Sequence, residues 1–185
     1  FTLHSRLLIV PYTFFDMALA PEAGGDAVQL FRRFMLRVAA GHAARIGALA
    51  LCVGDAVGQV ASQTLENMIA TAEASPLPVL RPLIGFNKQD IIARARRLGT
   101  YELSMLPAKD CCALLGRRPR TRSSAAHLRA LEARIFADYD ALVERSLDES
   151  VALAFTAGRQ ADPPAAGTRV PGDAVHRHGL RSAVN

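Results

Sequence analysis

Gly54-Asp55-Ala56-Val57-Gly58-Gln59-Val60-Ala61-Ser62-Gln63-Thr64 follows the apolar run Ala48-Leu49-Ala50-Leu51-Cys52-Val53 and leads into a helix-forming segment. The run is short, wholly apolar and bounded by Gly47 and Gly54, as expected of a strand buried on both faces of a parallel sheet. A junction of strand, glycine turn and helix lies at the carboxyl end of such a sheet, where ligands bind and the free N–H groups of the incoming helix favour an anion. Gly54 and Gly58 allow close backbone approach, while Gln59, Ser62, Gln63 and Thr64 supply neutral donors and acceptors beside it. Two readings stay open here, a nucleotide site or an ordinary strand-to-helix turn, because the spacing is neither G-x-x-x-x-G-K-[ST] nor G-x-G-x-x-G.

Upstream, residues 26–46 carry apolar side chains at 28, 31, 35, 38 and 39, a helical period, with Arg32, Arg33, Arg37 and Arg45 among them. Asp26 is the expected cap and Gly47 the stop. The arginines are expected on a solvated face; the sharper alternative turns one of them into the nucleotide site. Residues 5–10, Ser-Arg-Leu-Leu-Ile-Val, predict a strand halted by Pro11, and residues 14–20 an apolar helical turn or two. Residues 21–25 form a loop, in which Gly24-Gly25-Asp26 precedes a helix and reads as a linker. Cys52, inside the apolar run, is expected in the core.

Downstream, residues 60–74 predict a helix broken by Ser75-Pro76-Leu77-Pro78. The next strand, 79–84, contains Arg81-Pro82, so it ends at Leu80 or lies at an edge there. Asn87 and Asp90 make a capping arrangement for a helix with Ile91, Ile92, Ala95 and Leu98 on its apolar side and Gly99 at its end. Strands alternating with helices at this spacing argue for an α/β fold, a parallel sheet with helices on both faces.

Residues 100–123 are an expected irregular link holding Asp110-Cys111-Cys112 and Gly116-Arg117-Arg118-Pro119-Arg120-Thr121-Arg122. Adjacent cysteines near arginines are candidates for a reactive thiolate, and two inert thiols in a turn are the other reading. Arg117, Arg118, Arg120 and Arg122 could grip a phosphodiester backbone or form a solvated run. Residues 124–155 predict one or two helices packed on the sheet or on a partner, through Leu128, Leu131, Ile135, Leu142 and Leu147. Beyond them residues 157–185 lose apolar periodicity and are expected to be a disordered tail. His176 and His178 in that tail lack the further rigid ligands a metal site needs, so no metal is assigned.

The bulk properties fit this division into residues 1–123, 124–156 and 157–185. A chain of 185 residues can bury one real core, and charges interrupt every apolar run before it reaches the length of a membrane span. A soluble protein without membrane attachment is expected, and no basic and apolar leader opens the chain. The net charge is +5 and the only lysines are Lys88 and Lys109. This arginine bias fits a nucleic-acid partner and fits a GC-rich coding sequence equally well. Three cysteines make neither an even disulfide framework nor a C-x-x-C pair, which points to a reducing cytoplasm. The start at Phe1 suggests a fragment.

Four ordered motifs carry a resemblance. Residues 54–67, Gly54 to the Leu65-Glu66-Asn67 that ends the block, are followed by Leu80-Arg81-Pro82-Leu83-Ile84-Gly85, then Gly99-Thr100-Tyr101-Glu102, then Asp110-Cys111-Cys112. Together with Arg32-Arg33-Phe34-Met35-Leu36-Arg37, the set resembles the ATP-pyrophosphatase (Rossmann-like) adenylating domain of tRNA 4-thiouridine synthases over residues 5–122. The resemblance implies ATP, with Mg as its counter-ion, and ATP contacts at Arg32, Gly54 and Gln63. It implies tRNA as partner, adenylation of a uracil carbonyl oxygen, and sulfur delivered by a persulfide donor, either a cysteine desulfurase or a rhodanese-like carrier. It also implies a link to thiamine thiazole synthesis and allows a homodimer. A domain cysteine is expected to attack the persulfide carrier and leave a disulfide; the spacing to Pro119 aligns Cys112 with that role ahead of Cys111. The family's Ser-Gly-Gly-x-Asp-Ser loop has no copy here, so the domain is expected to be incomplete at its amino terminus, with a helical carboxy-terminal extension. Asp55 stands where a glutamate is more usual. The alternative is a degenerate, non-catalytic nucleotide- or tRNA-binding module of the same fold.

Overall fold

The computed structural model describes residues 4–60, 63–107, 119–156 and 159–160. In chain order these form β1 (His4–Ile9), α1 (Thr13–Ala18), a 3-10 turn (Pro21–Asp26), α2 (Ala27–Ile46), β2 (Leu51–Cys52), α3 (Leu65–Ala72) and β3 (Val79–Leu80). There follow α4 (Lys88–Leu98), α5 (Tyr101–Ser104), α6 (Ala125–Ile135), α7 (Tyr139–Asp148), β4 (Val151–Thr156) and β5 (Arg159–Gln160). β2 and β3 pair in parallel, Leu51 with Val79 and Cys52 with Leu80, and α3 crosses between them. This βαβ unit is the α/β core that the central stretch predicts.

α2 is the axis of the molecule. Its length follows from a 3.6-residue apolar period, and it ends where Gly47 turns left-handed (φ 72°) and donates its N–H to the Ala43 carbonyl. One face packs Leu36, Ala40 and Ala43 on Leu51 and Ala74, holding the helix to the parallel pair. The other packs Leu30, Phe31, Phe34 and Val38 with Phe15, Leu128, Leu131, Phe136, Val143 and Leu147. Phe15 sits at the centre of that core, its ring centroid 5.0 Å from Phe34 and 5.5 Å from Phe136. α6 and α7 therefore share one hydrophobic core with α2. α3, α4, α6 and α7 begin as their sequences direct, with Thr64, Asn87, Ser124 and Asp138 each accepting a first-turn backbone N–H.

Several expectations are corrected. The strand at the amino terminus exists, yet β1 runs antiparallel to β4, His4 opposite Thr156 and Ile9 opposite Val151, outside the parallel pair. The reading of 124–155 as one or two helices holds as two, α6 and α7, and fails after Asp148, where its last residues form β4. Val-Ala-Leu-Ala-Phe-Thr suits helix or strand locally, and pairing with a segment about 150 residues away decides the matter. The tail reading fails at Arg159–Gln160, which pairs with Phe155 and Thr156; residues 161–185 lie outside the described residues. The helix expected from residue 60 begins at Leu65. Of the two alternatives for the strand starting at Val79, the structure takes the first: it ends at Leu80, since Pro82 has no N–H to give. The link after residue 100 contains the short helix α5. Cys52 is exposed: successive strand residues alternate, and Leu51 takes the buried side against α2.

The solvated reading of the α2 arginines holds for Arg45, paired at the surface with Glu144 and Asp148. It fails for Arg33, which is 1% exposed and donates Nε and Nη2 to the two oxygens of Glu132 on α6, at 2.7 and 2.9 Å. Arg37 adds a third bond to Glu132 at 3.2 Å and lies over the Tyr139 ring. Burial, reinforced by the Glu132 charge, pushes the Tyr139 hydroxyl well above the usual tyrosine range, so the residue stays neutral in this network.

Candidate functional site

The parallel ladder continues one bond past β2, where Val53 N–H donates to Leu80 O at 3.0 Å, and the chain then turns out of the sheet at Gly54. Among the described residues, no atom of another segment lies within 4 Å of the position a Cβ would take on Gly54, and its backbone is outside the left-handed region. Nothing in the fold itself demands glycine there. Gly58 differs: its φ of +73° is the conformation that favours glycine, and it shapes the turn in which Gly58 N–H meets Gln63 O and Gln63 N–H meets Val60 O. Gly54→Ala is therefore expected to leave stability unchanged or raise it by up to about 1 kcal/mol. Gly58→Ala should lower it by about 1–2 kcal/mol. Denaturant unfolding of the two variants checks this, and a clear loss for Gly54→Ala would show that the fold needs that glycine.

Asp55, 5% exposed, is gripped from two elements. Arg32 of α2 donates Nη2 to Oδ1 at 2.5 Å, and Arg81, just past β3, brings Nε to 3.3 Å from Oδ2. Arg81 Nη1 also reaches the Val79 carbonyl at 3.3 Å. So Arg32 and Gly54, singled out from sequence, are joined through Asp55, and Gln63 closes the same loop. Sequence reasoning left Arg81 out of the site. The signal was present in register: Cys52 pairs with Leu80, so the residues following each strand come side by side at the carboxyl end of the sheet.

The loop's far end is stitched to the segment 120–123. Thr64 Oγ1 donates to Thr121 O at 2.8 Å, Asn67 Nδ2 and Gln29 Nε2 both donate to Arg120 O, and Ser123 N–H donates to Asn67 Oδ1. Asp26, expected as a helix cap, makes no capping bond. It is buried and instead takes Ser123 Oγ at 2.5 Å and His127 Nε2 at 2.9 Å, with Arg120 Nε at 3.3 Å. Of the arginines expected on nucleic acid, Arg120 is thus drawn toward Asp26, and Arg122, paired with Glu66 at 3.2 Å, keeps its side chain 80% exposed. Both line a cleft of about 510 Å³ between α3 and α6 with Glu66, Ile69, Ser123 and His127. Cys111, Cys112, Arg117 and Arg118 lie outside the described residues. Among the described residues no group of three or more His, Cys, Asp or Glu is placed to hold a metal, and no helix is long and apolar enough to cross a membrane.

Comparison with known proteins gives the same fold. A solved chain described as "Crystal structure of a 4-thiouridine synthetase - RNA complex with bound ATP" superposes with a TM-score of 0.75 at 35% identity, over 81% of this chain and 39% of that one. A "Probable tRNA sulfurtransferase" of Nocardia farcinica is 46% identical over 165 residues, 88% of this chain and 40% of the relative. Another of that name, from Thermus thermophilus, is 44% identical over 153 residues, 82% of this chain and 37% of the relative. The chain thus spans about 40% of the length of the curated relatives it matches. The family model described as "Thiamine biosynthesis protein (ThiI)" matches residues 2–136, which run from β1 through the glycine loop and the cysteine pair to the end of α6. With most of the chain under that model and the same fold in a solved relative, the chain belongs to the thiamine biosynthesis protein (ThiI) family.

Proposed function

We propose that this chain is part of the adenylating domain of a tRNA 4-thiouridine synthase, a tRNA sulfurtransferase that binds ATP at the carboxyl end of β2 and β3. The observation that carries this reading is the Arg32–Asp55 pair one residue past Gly54, whose backbone faces open space. Such an arrangement suits a nucleotide: arginine is a fixed fork for phosphate oxygens, and glycine leaves room for close approach. Arg32 Nε is buried without a partner among the described residues, a further donor on the same side chain. ATP, with Mg as its counter-ion, supplies the adenylyl group that turns a uracil carbonyl oxygen into a leaving group. A persulfide donor, a cysteine desulfurase or a rhodanese-like carrier, brings the sulfur. Cys112 attacks the inner sulfur of the carrier's persulfide and breaks its S–S bond; the outer sulfur leaves as hydrosulfide and displaces AMP from the uridine, and Cys112 is left in a disulfide with the carrier, with Cys111 the second candidate.

Thr121 is anchored at the start of α3, and Cys112 stands nine positions before it in the sequence, outside the described residues. Arg117, Arg118, Arg120 and Arg122 are proposed contacts to tRNA phosphates, of which Arg122 is the most available among those described. A cytoplasmic enzyme, working as a homodimer in its full-length form, fits the same reading.

Equilibrium titration of the isolated chain with ATP tests it. Binding is expected, weakened about tenfold or more by Arg32→Ala, the size of a lost charge-assisted hydrogen bond. A folded chain that takes up no ATP rules the reading out. The alternative is a degenerate, non-catalytic nucleotide- or tRNA-binding module of the same fold. It predicts ATP or tRNA binding with no pyrophosphate release, even when the chain is placed in an enzyme of its relatives' length.

A further inference from the structure

We infer that Arg81 is a second arginine for the phosphates of the nucleotide, held in place beside Arg32 by Asp55; the inference rests on the proposed nucleotide site. Each oxygen of the Asp55 carboxylate serves a different guanidinium, Oδ1 that of Arg32 at 2.5 Å and Oδ2 that of Arg81 at 3.3 Å. Two positive charges thus share one negative charge. Both arginine side chains are only 15% exposed and that of Asp55 7%, so water compensates the surplus poorly. Among the described residues the other hydrogen bond of Arg81, Nη1 to the Val79 carbonyl, is long at 3.3 Å, and Arg32 Nε has no partner. The cluster therefore has both unmatched charge and unspent donors.

An oxyanion with several acceptor oxygens supplies what is lacking. Phosphate fits better than a neutral ligand because it brings charge, and better than a single carboxylate because two guanidinium groups on separate elements present more donors than two oxygens accept. The surroundings favour it too. Asp55 directly follows Gly54, so the surplus charge sits beside backbone that a ligand can approach. Pro82 holds Arg81 to extended backbone, and the Asp55 bond limits its side chain, so less freedom is lost when an anion arrives. Asp55 acts here as a positioning residue. It orients both guanidinium groups.

The test compares ATP, inorganic pyrophosphate and adenosine as titrants of the 185-residue chain by calorimetry, for the wild type, Arg81→Gln and Arg81→Lys. Arg81→Gln is expected to weaken ATP and pyrophosphate about tenfold or more, with adenosine changed less than about twofold. Arg81→Lys should recover part of the loss, since charge returns without the fork. If the wild type binds ATP and Arg81→Gln binds it equally well, Arg81 is only a counter-ion for Asp55 and the inference is overturned. Equal losses for ATP and adenosine overturn it as well, since a general disturbance of the loop does not discriminate phosphate. A wild-type chain that is folded and binds no ATP removes the nucleotide reading itself, a result distinct from the other two.

Discussion

Glu132→Ala is expected to lower the unfolding free energy by about 3–5 kcal/mol, because it strands a buried arginine rather than merely deleting a contact. Arg33 is 1% exposed, and Glu132 on α6 takes two of its bonds at 2.7 and 2.9 Å. Without the carboxylate, Nε and Nη2 have no acceptor in a site closed to water. Glu73 approaches Nη1 at 3.6 Å and is itself partly solvated and drawn toward Arg129, so it replaces little of the lost charge. The Ala70 carbonyl accepts from Nη1 at 2.5 Å and keeps the guanidinium where it is, preventing escape to solvent. For a domain of this size the midpoint should fall by roughly 6–20 °C. Replacing both partners, Arg33→Met with Glu132→Leu, should recover most of the loss, since no charge then remains buried. Thermal and denaturant unfolding of the chain distinguish these cases. A single variant within about 1 kcal/mol of the wild type would show that α6 does not depend on this pair for its seat on α2.

The second large effect is chemical. Placed in an enzyme of its relatives' full length, Cys112→Ser is expected to cut thiolation about a hundredfold or more while ATP-dependent pyrophosphate release with tRNA continues. The reason lies in the element. A thiolate attacks a persulfide sulfur and ends in a disulfide, whereas a serine hydroxyl is almost wholly protonated near neutrality and forms no such bond. Adenylation precedes that attack and needs the nucleotide residues, so it should survive. Cys111→Ser should retain most thiolation. Normal thiolation by Cys112→Ser would move the role elsewhere, and parallel loss of pyrophosphate release would mean that Cys112 supports the nucleotide site instead.

The contrast between Asn87 and Asp26 shows how far local reading reaches. Asn87 caps α4 by accepting the Asp90 N–H three residues on, an interaction contained within the stretch that predicts it. Asp26 carries the same local signal and is used differently, because Ser123 and His127 arrive from about a hundred residues away and occupy both its oxygens. Arg32 and Arg33 make the same point from one helix. Their period places them on α2, and only the arrival of Asp55 beside one and Glu132 beside the other separates their surroundings. β4 was illegible for the same cause: its residues suit either state, and β1 selects between them.

The order of 51–80, strand then glycine turn then helix then strand, was determined by the sequence alone, because apolar runs, glycines and prolines act on their immediate neighbours. So was the place of Gly54 and Gln63 in one loop beyond β2. The tertiary structure alone decided which charges meet: the two arginines on Asp55, the buried Arg33 and Glu132, and the anchoring of 120–123 against α2 and α3. Those contacts join residues separated by tens of positions. Their energies depend on burial and geometry that no short stretch of chain encodes.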